Sequence, residues 1–115
     1  MVKVTSFEEL KSWQKSIKLA EMIYKEFENL KDYWFKDQIQ RAVISISNNI
    51  AEWFERQSNK ELKYFLFVAK WSCWETKSML YLAYRLWYIS KEKMDIYIDL
   101  SIEISKMLYS FIKTL

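Results

Sequence analysis

From Leu10 onward the apolar residues of this chain recur at steps of three and four. Leu10, Trp13, Ile17, Ala20, Tyr24 and Phe27 form the first such run. That spacing predicts a helix with one apolar stripe, because residues three and four apart share a face. Lys11, Lys15, Lys18, Glu21, Lys25 and Glu28 lie largely off it. A second run is Phe35, Ile39, Ala42, Ile46, Ile50 and Trp53, and a third is Leu62, Phe65, Ala69, Cys73, Thr76, Leu80 and Ala83. The last carries Met94, Ile98, Ser101, Ser105, Leu108 and Ile112, with Tyr97, Leu100, Ile104 and Phe111 beside them, so it is apolar over a wide arc. Four helices are predicted, over about 7–29, 35–57, 59–87 and 91–113.

The breaks between runs carry start and stop chemistry. Ser6 with Glu9, and Ser58 with Glu61, have the spacing of a capping box, in which each side chain satisfies an orphaned backbone N–H. Asn29 and Asp32 weaken the helix between the first two runs. Ser90 is placed to cap the fourth helix, with Glu92 in its first turn, where an acid complements the helix dipole. Connections this short cannot cross the length of a bundle, so successive helices must alternate in direction. The expected fold is therefore all-α, an antiparallel up-down-up-down four-helix bundle spanning residues 1–115 as one domain. Strict two-residue alternation is not sustained, and no Asn-Gly hairpin signal occurs, which argues against a sheet.

Composition narrows the chemistry. With 115 residues and 51% of them apolar, one core forms without staples. The chain has no His and no Gly, and its only cysteine is Cys73. Serine–histidine, cysteine–histidine and histidine–metal constellations cannot be written, nor can glycine-loop phosphate cradles. No catalytic residue, metal site, cofactor or small-molecule substrate is expected, and Cys73 on an apolar stripe reads as a core residue. No apolar stretch approaches a membrane span and no signal-peptide core precedes the first run, so a cytoplasmic protein is expected.

Three features stand outside this frame. Ser45, Ser47, Asn48, Asn49 and Glu52 occupy helix positions where better helix formers are usual. They serve either as a buried network fixing helix register, with Asn49, Glu52 and Glu75 as its members, or as a ligand or partner site. The bases Lys36, Arg41, Arg56, Lys60, Lys63, Lys70, Lys77 and Arg85 concentrate on the second and third helices. The third alone sets Lys60, Lys63, Lys70, Lys77 and Arg85 against Glu61 and Glu75, which equals the whole net charge of +3. Such clustering fits a phosphate-backbone footprint, and it also fits a solvated face with ordinary pairs such as Glu52–Arg56. Finally Tyr64, Phe67, Trp71, Trp74, Tyr81, Tyr84 and Tyr88, with Tyr97 and Tyr109, exceed what one inward stripe can hide. They belong either to an interface or to a thick monomeric core.

Phe7-Glu8-Glu9-Leu10-Lys11-Ser12-Trp13-Gln14-Lys15, Asp37-Gln38-Ile39-Gln40-Arg41-Ala42, Ser47-Asn48-Asn49-Ile50-Ala51-Glu52-Trp53-Phe54-Glu55-Arg56, Lys60-Glu61-Leu62 and Leu86-Trp87-Tyr88-Ile89-Ser90 follow one another in an order that resembles a bacterial family. It is the four-helix-bundle family of proteins encoded in intervening sequences of large-subunit ribosomal RNA genes, which also includes the accessory protein of diversity-generating retroelements. The resemblance implies an antiparallel bundle without enzymatic activity and a homo-oligomer, pentameric in the retroelement branch. It also implies a nucleic acid or a nucleic-acid enzyme as partner. The matched positions include Arg41, Asn49, Glu52 and Arg56. Taken with the charge pattern, Lys36, Arg41, Arg56, Lys60, Lys63 and Lys70 are the expected contacts to structured RNA; the alternative is a protein-interaction module that binds no nucleic acid.

The departures from the family pattern share one chemistry. Trp53 stands where that family has glycine in its Asn-Ile-Ala-Glu-Gly-Phe run, and Trp34, Trp71, Trp74 and Trp87 also occupy glycine-like places, while only Trp13 matches a family tryptophan. Ordinary chains carry about 7% glycine, and this one carries none. A codon read as glycine in some bacterial lineages and tryptophan in others would produce both oddities. As genuine tryptophans, Trp71 and Trp74 are expected to push helices apart, and Trp87 to abolish the left-handed stop of its helix. Ser47 replaces a common proline, which removes the cause of a kink there.

Overall fold

Helices form where the three-four spacing asks for them, with boundaries moved by local capping. The computed structural model describes residues 4–56 and 62–115. A 3-10 turn over Phe7–Glu9 leads into four helices: α1 (Lys11–Glu26), α2 (Tyr33–Glu55), α3 (Tyr64–Arg85) and α4 (Lys91–Lys113). The Asp32 carboxylate starts α2 by accepting the Phe35 N–H at 3.1 Å, and Ser90 Oγ starts α4 by accepting that of Lys93 at 3.2 Å. The Ser6–Glu9 capping box does not form. Glu9 instead accepts from Thr5, from its hydroxyl at 2.9 Å and its N–H at 3.4 Å, which holds residues 7–9 in a separate turn and delays α1 to Lys11. The Ser58–Glu61 pair lies outside the described residues.

Contacts between helix ends establish the antiparallel arrangement. Tyr88, just past α3, donates its hydroxyl to Asp32 at the start of α2 at 2.6 Å, and Tyr97 at the start of α4 donates to Glu26 at the end of α1 at 2.5 Å. The helices pack as α1 on α2, α2 on α3, α3 on α4 and α4 back on α1. The bundle measures 45 × 23 × 20 Å; its long axis accommodates a 23-residue helix, whose length is about 34 Å.

On α2 the predicted stripe is the buried one, from Phe35 through Ile39, Ala42, Ile46 and Ile50 to Trp53. On α4 the buried face is Met94, Tyr97, Ile98, Ser101, Ile104, Leu108 and Ile112, so it joins most of the predicted stripe to Tyr97 and Ile104 of the neighbouring one and leaves Ser105 half-buried. Tyr97, counted above among the surplus aromatics, is thus a core residue. On α1 the inward stripe differs from expectation: Ser12, Ser16, Leu19, Ile23 and Phe27 are buried, while Tyr24 is exposed. Two three-four ladders run along this helix, and the one beginning with two serines faces the core. Serine side chains are short enough for a close helix contact, and Ser16 returns its hydroxyl to the Trp13 carbonyl at 2.7 Å. The same economy marks α3, where Ala69, Ser72, Cys73, Thr76 and Ala83 are buried beside Leu66 and Leu80.

Both expectations for the α3 tryptophans are corrected. Trp71 and Trp74 point outward, about half exposed, so neither separates helices in the bundle. Trp87 keeps the helix stop: it adopts φ 66°, its N–H bonds to Tyr84 O at 3.0 Å, and the Tyr88 N–H bonds to Ala83 O at 2.8 Å. That is the paired closure normally completed by glycine, here formed by a residue whose Cβ makes the left-handed region unfavourable by about 1–2 kcal/mol. The Trp87 side chain is 91% exposed and gains almost no packing in return.

Candidate nucleic-acid interface

Helix geometry divides the expected bases into two groups. On α2, Arg41 Nε meets Asp37 at 3.1 Å and Arg56 Nε meets Glu52 at 2.6 Å, each one turn back along the helix. Arg56 also lies 5.1 Å from the ring centre of Phe65. Lys36 turns toward the α1–α2 connection, where it donates to Glu28 O at 3.4 Å and lies 5.2 Å from the Tyr33 ring. These three bases therefore do not combine into one open face. Lys63 stands at the residue before α3, with no side-chain bond to the helix start, and Lys60 lies outside the described residues.

Lys70 belongs to a different constellation. It stands on the flank of α3 that meets α4, and Lys77, seven residues on, shares that flank. From α4, Lys106 and Lys113 come up on the other side. Two open clefts of about 540 and 240 Å³ run along this seam and share Ser105 and Lys106. The first is lined by Lys70, Tyr109, Ser110 and Lys113 as well, and the second by Trp74, Lys77 and Ile102, over a floor of Cys73 and Ser101. Among the described residues no carboxylate lines either cleft. None of the four lysines is ion-paired among the described residues. Lys70 lies 4.1 Å from the Trp74 ring centre and 5.5 Å from that of Tyr109, and Lys113 lies 5.3 Å from Tyr109. Two of the four α4 carboxylates pair elsewhere: Glu103 with Lys15 of α1 at 2.8 Å, and Asp95 with Lys91 at 3.0 Å. Arg41, by contrast, lines a separate cleft with Tyr24, Asp37, Gln40 and Asn48, where its own carboxylate partner is present.

The polar residues of α2 make a smaller network than expected. Asn49 donates to Ser45 O at 2.8 Å and Ser45 Oγ at 3.0 Å, and Ser72 of α3 donates to Ser45 Oγ at 2.9 Å. Serine and asparagine thus bridge α2 to α3 at one level. Glu52 is occupied with Arg56, and Glu75 sits exposed on α3 outside this set.

Burial pushes the Cys73 thiol up to about 12, against a small opposing effect of the Lys70 charge, so it stays protonated at neutral pH. Tyr97 is likewise raised, by burial and by its hydrogen bond to Glu26. Among the described residues no group of three or more His, Cys, Asp or Glu side chains is gathered as a metal would require, and no helix is long and apolar enough to cross a membrane.

The outer face of α3 is apolar to an unusual degree. Tyr64, Trp71 and Leu82 are exposed, and the rings of Tyr64 and Phe67 each lie 6.3 Å from that of Trp71. This ridge borders the lysine groove on the side away from α4.

Comparison with known proteins fits this architecture. A solved structure of a protein of unknown function from the S23 ribosomal protein family of Bacteroides thetaiotaomicron superposes with a TM-score of 0.82 at 33% identity, covering 89% of this chain and 98% of that one. Comparison with curated proteins returns no match. Residues 8–110 match the model of the 23S rRNA-intervening sequence protein family, a span that takes in α1 to α3 and all but the last three residues of α4. This chain belongs to the 23S rRNA-intervening sequence protein family.

Proposed function

We propose that this protein is a non-catalytic RNA-binding bundle whose contact surface is the α3–α4 groove. The observation that carries this reading is four lysines, Lys70, Lys77, Lys106 and Lys113, converging on one seam with no carboxylate among them. Unpaired cations raise the local potential and condense a polyanion, whereas Arg41 and Arg56 are already compensated. The basic surface therefore lies between the third and fourth helices, with Lys70 shared between this reading and the one drawn from charge along the chain.

Each phosphate neutralised releases counterion, so the logarithm of the binding constant falls linearly with that of the salt concentration. Four lysine contacts give a slope of about −3. Filter retention of a structured RNA over a salt series measures it. A slope near zero, or no retention at low salt, ends the proposal in favour of a protein-interaction module.

A second reading concerns assembly and rests on the aromatic ridge of Tyr64, Phe67 and Trp71. Exposed rings clustered on one helix suit burial against a second copy, in keeping with the homo-oligomer, pentameric in one branch, that the family resemblance implies. Sedimentation equilibrium at micromolar concentration is expected to give a multiple of 14.2 kDa, and Trp71→Glu to return it to the monomer mass. A monomer at that concentration overturns this reading without touching the first.

A further inference from the structure

We infer that the groove takes an unpaired RNA strand rather than a duplex, with one base stacked on Tyr109 and the phosphates flanking it on Lys70 and Lys113; this rests on the RNA-binding reading above. Tyr109 is 54% exposed and stands in the wider cleft between the two ammonium groups, at 5.5 and 5.3 Å from them. A ring held between two cations matches the repeat of a single strand, in which a flat base alternates with charged phosphates. The Ser105 and Ser110 hydroxyls line the same cleft and are suited to bond base edges or ribose hydroxyls. Helices packed with their axes about 8–10 Å apart leave an open surface groove along their seam, on which one strand can lie. A duplex would rest on its rims, with its bases stacked away from the tyrosine. Lys106 and Lys77 continue the charged track beyond the ring.

Fluorescence anisotropy with three labelled probes tests it on the full chain: a short oligouridylate, an abasic oligomer of equal length, and an RNA duplex. Wild-type protein is expected to bind the oligouridylate more tightly than the other two. Loss of one stacked base lowers affinity by about 5- to 150-fold. Tyr109→Leu should therefore weaken oligouridylate binding by that factor and leave the abasic and duplex probes unchanged, while Tyr109→Phe retains the ring and the affinity. Equal affinity for duplex and single strand overturns the inference, as does a Tyr109→Leu protein that binds oligouridylate as before or loses all three probes alike. If all three probes bind equally and salt weakens them, the RNA-binding reading survives and only the strand preference falls. If none binds, that reading fails as well.

Discussion

On α2, Arg41 and Arg56 each have a carboxylate one turn away, whereas the lysines of α3 and α4 face one another across clefts that no acid among the described residues lines. The two regions carry the same sign of charge on the same kind of scaffold. They differ in what a polyanion would gain. A phosphate approaching Arg41 must compete with Asp37, already at 3.1 Å, and exposed pairs of that kind contribute about 0–1 kcal/mol to stability while cancelling the local field. A phosphate entering the groove meets cations whose nearest neighbours are aromatic rings and hydroxyls. Clustering along the chain is thus a poor guide to binding surface; compensation in space decides it.

The largest expected effect comes from removing the distinction. Changing Lys70, Lys77, Lys106 and Lys113 together to Glu should weaken RNA retention at least about a hundredfold, while Arg41→Glu with Arg56→Glu changes it far less. Equal losses from both sets would show that the groove is not special. A milder way to break the contrast is to give the groove its own acid. Ser110 is exposed and lies four residues after Lys106 and three before Lys113, so Ser110→Glu can pair with either. RNA affinity should fall roughly three- to tenfold with the melting temperature unchanged. In the converse experiment, Asp37→Asn with Glu52→Gln frees both arginines and should strengthen binding by no more than about twofold; a larger gain would move the interface toward α2.

Smaller effects concern the frame that holds the seam. Trp87→Gly should raise stability by about 1 kcal/mol, read by chemical denaturation, because it relieves a left-handed Cβ at a residue with no packing to lose. The glycine-codon account makes a parallel claim: protein from its own cells should be lighter than the printed chain by five tryptophan-to-glycine replacements, and a full tryptophan mass ends it. Smallest of all is a pH effect at the α2–α3 junction. The hydrogen bond from Tyr88, and then that from the Phe35 N–H, hold Asp32 below the usual carboxylate range. A depressed carboxylate contributes stability that is present above its unfolded value and lost as pH falls through the lowered one. The melting temperature of Asp32→Asn should therefore show a shallower acid limb than wild type; identical limbs would remove Asp32 from that role.

Much of the bundle was readable from spacing. On α2 the ladder of Phe, Ile and Ala leaves one choice of inward face, and Ser90 marks the start of α4 by its side-chain chemistry, whereas Asn29 and Asp32 offer similar chemistry and only the structure selects Asp32 as the cap of α2. On α1 the ladder that faces inward begins with Ser12 and Ser16, and nothing in their polarity announces burial; only the fit of a neighbouring helix selects them over Trp13 and Tyr24. The candidate site was less legible. Lys70 was visible as one of many bases, but Lys106 follows Glu103 by three residues and looks locally compensated, and Lys113 stands alone near the end of α4.

Periodicity by itself determined that this chain makes helices, how many, and where their connections fall, because these follow from interactions within about one turn. The tertiary structure decided which ladder of α1 is buried and which lysines share a groove. Those outcomes depend on side chains dozens of residues apart, and on the pairing of Glu103 and Asp95 away from the α3–α4 seam, which leaves its cations unmatched.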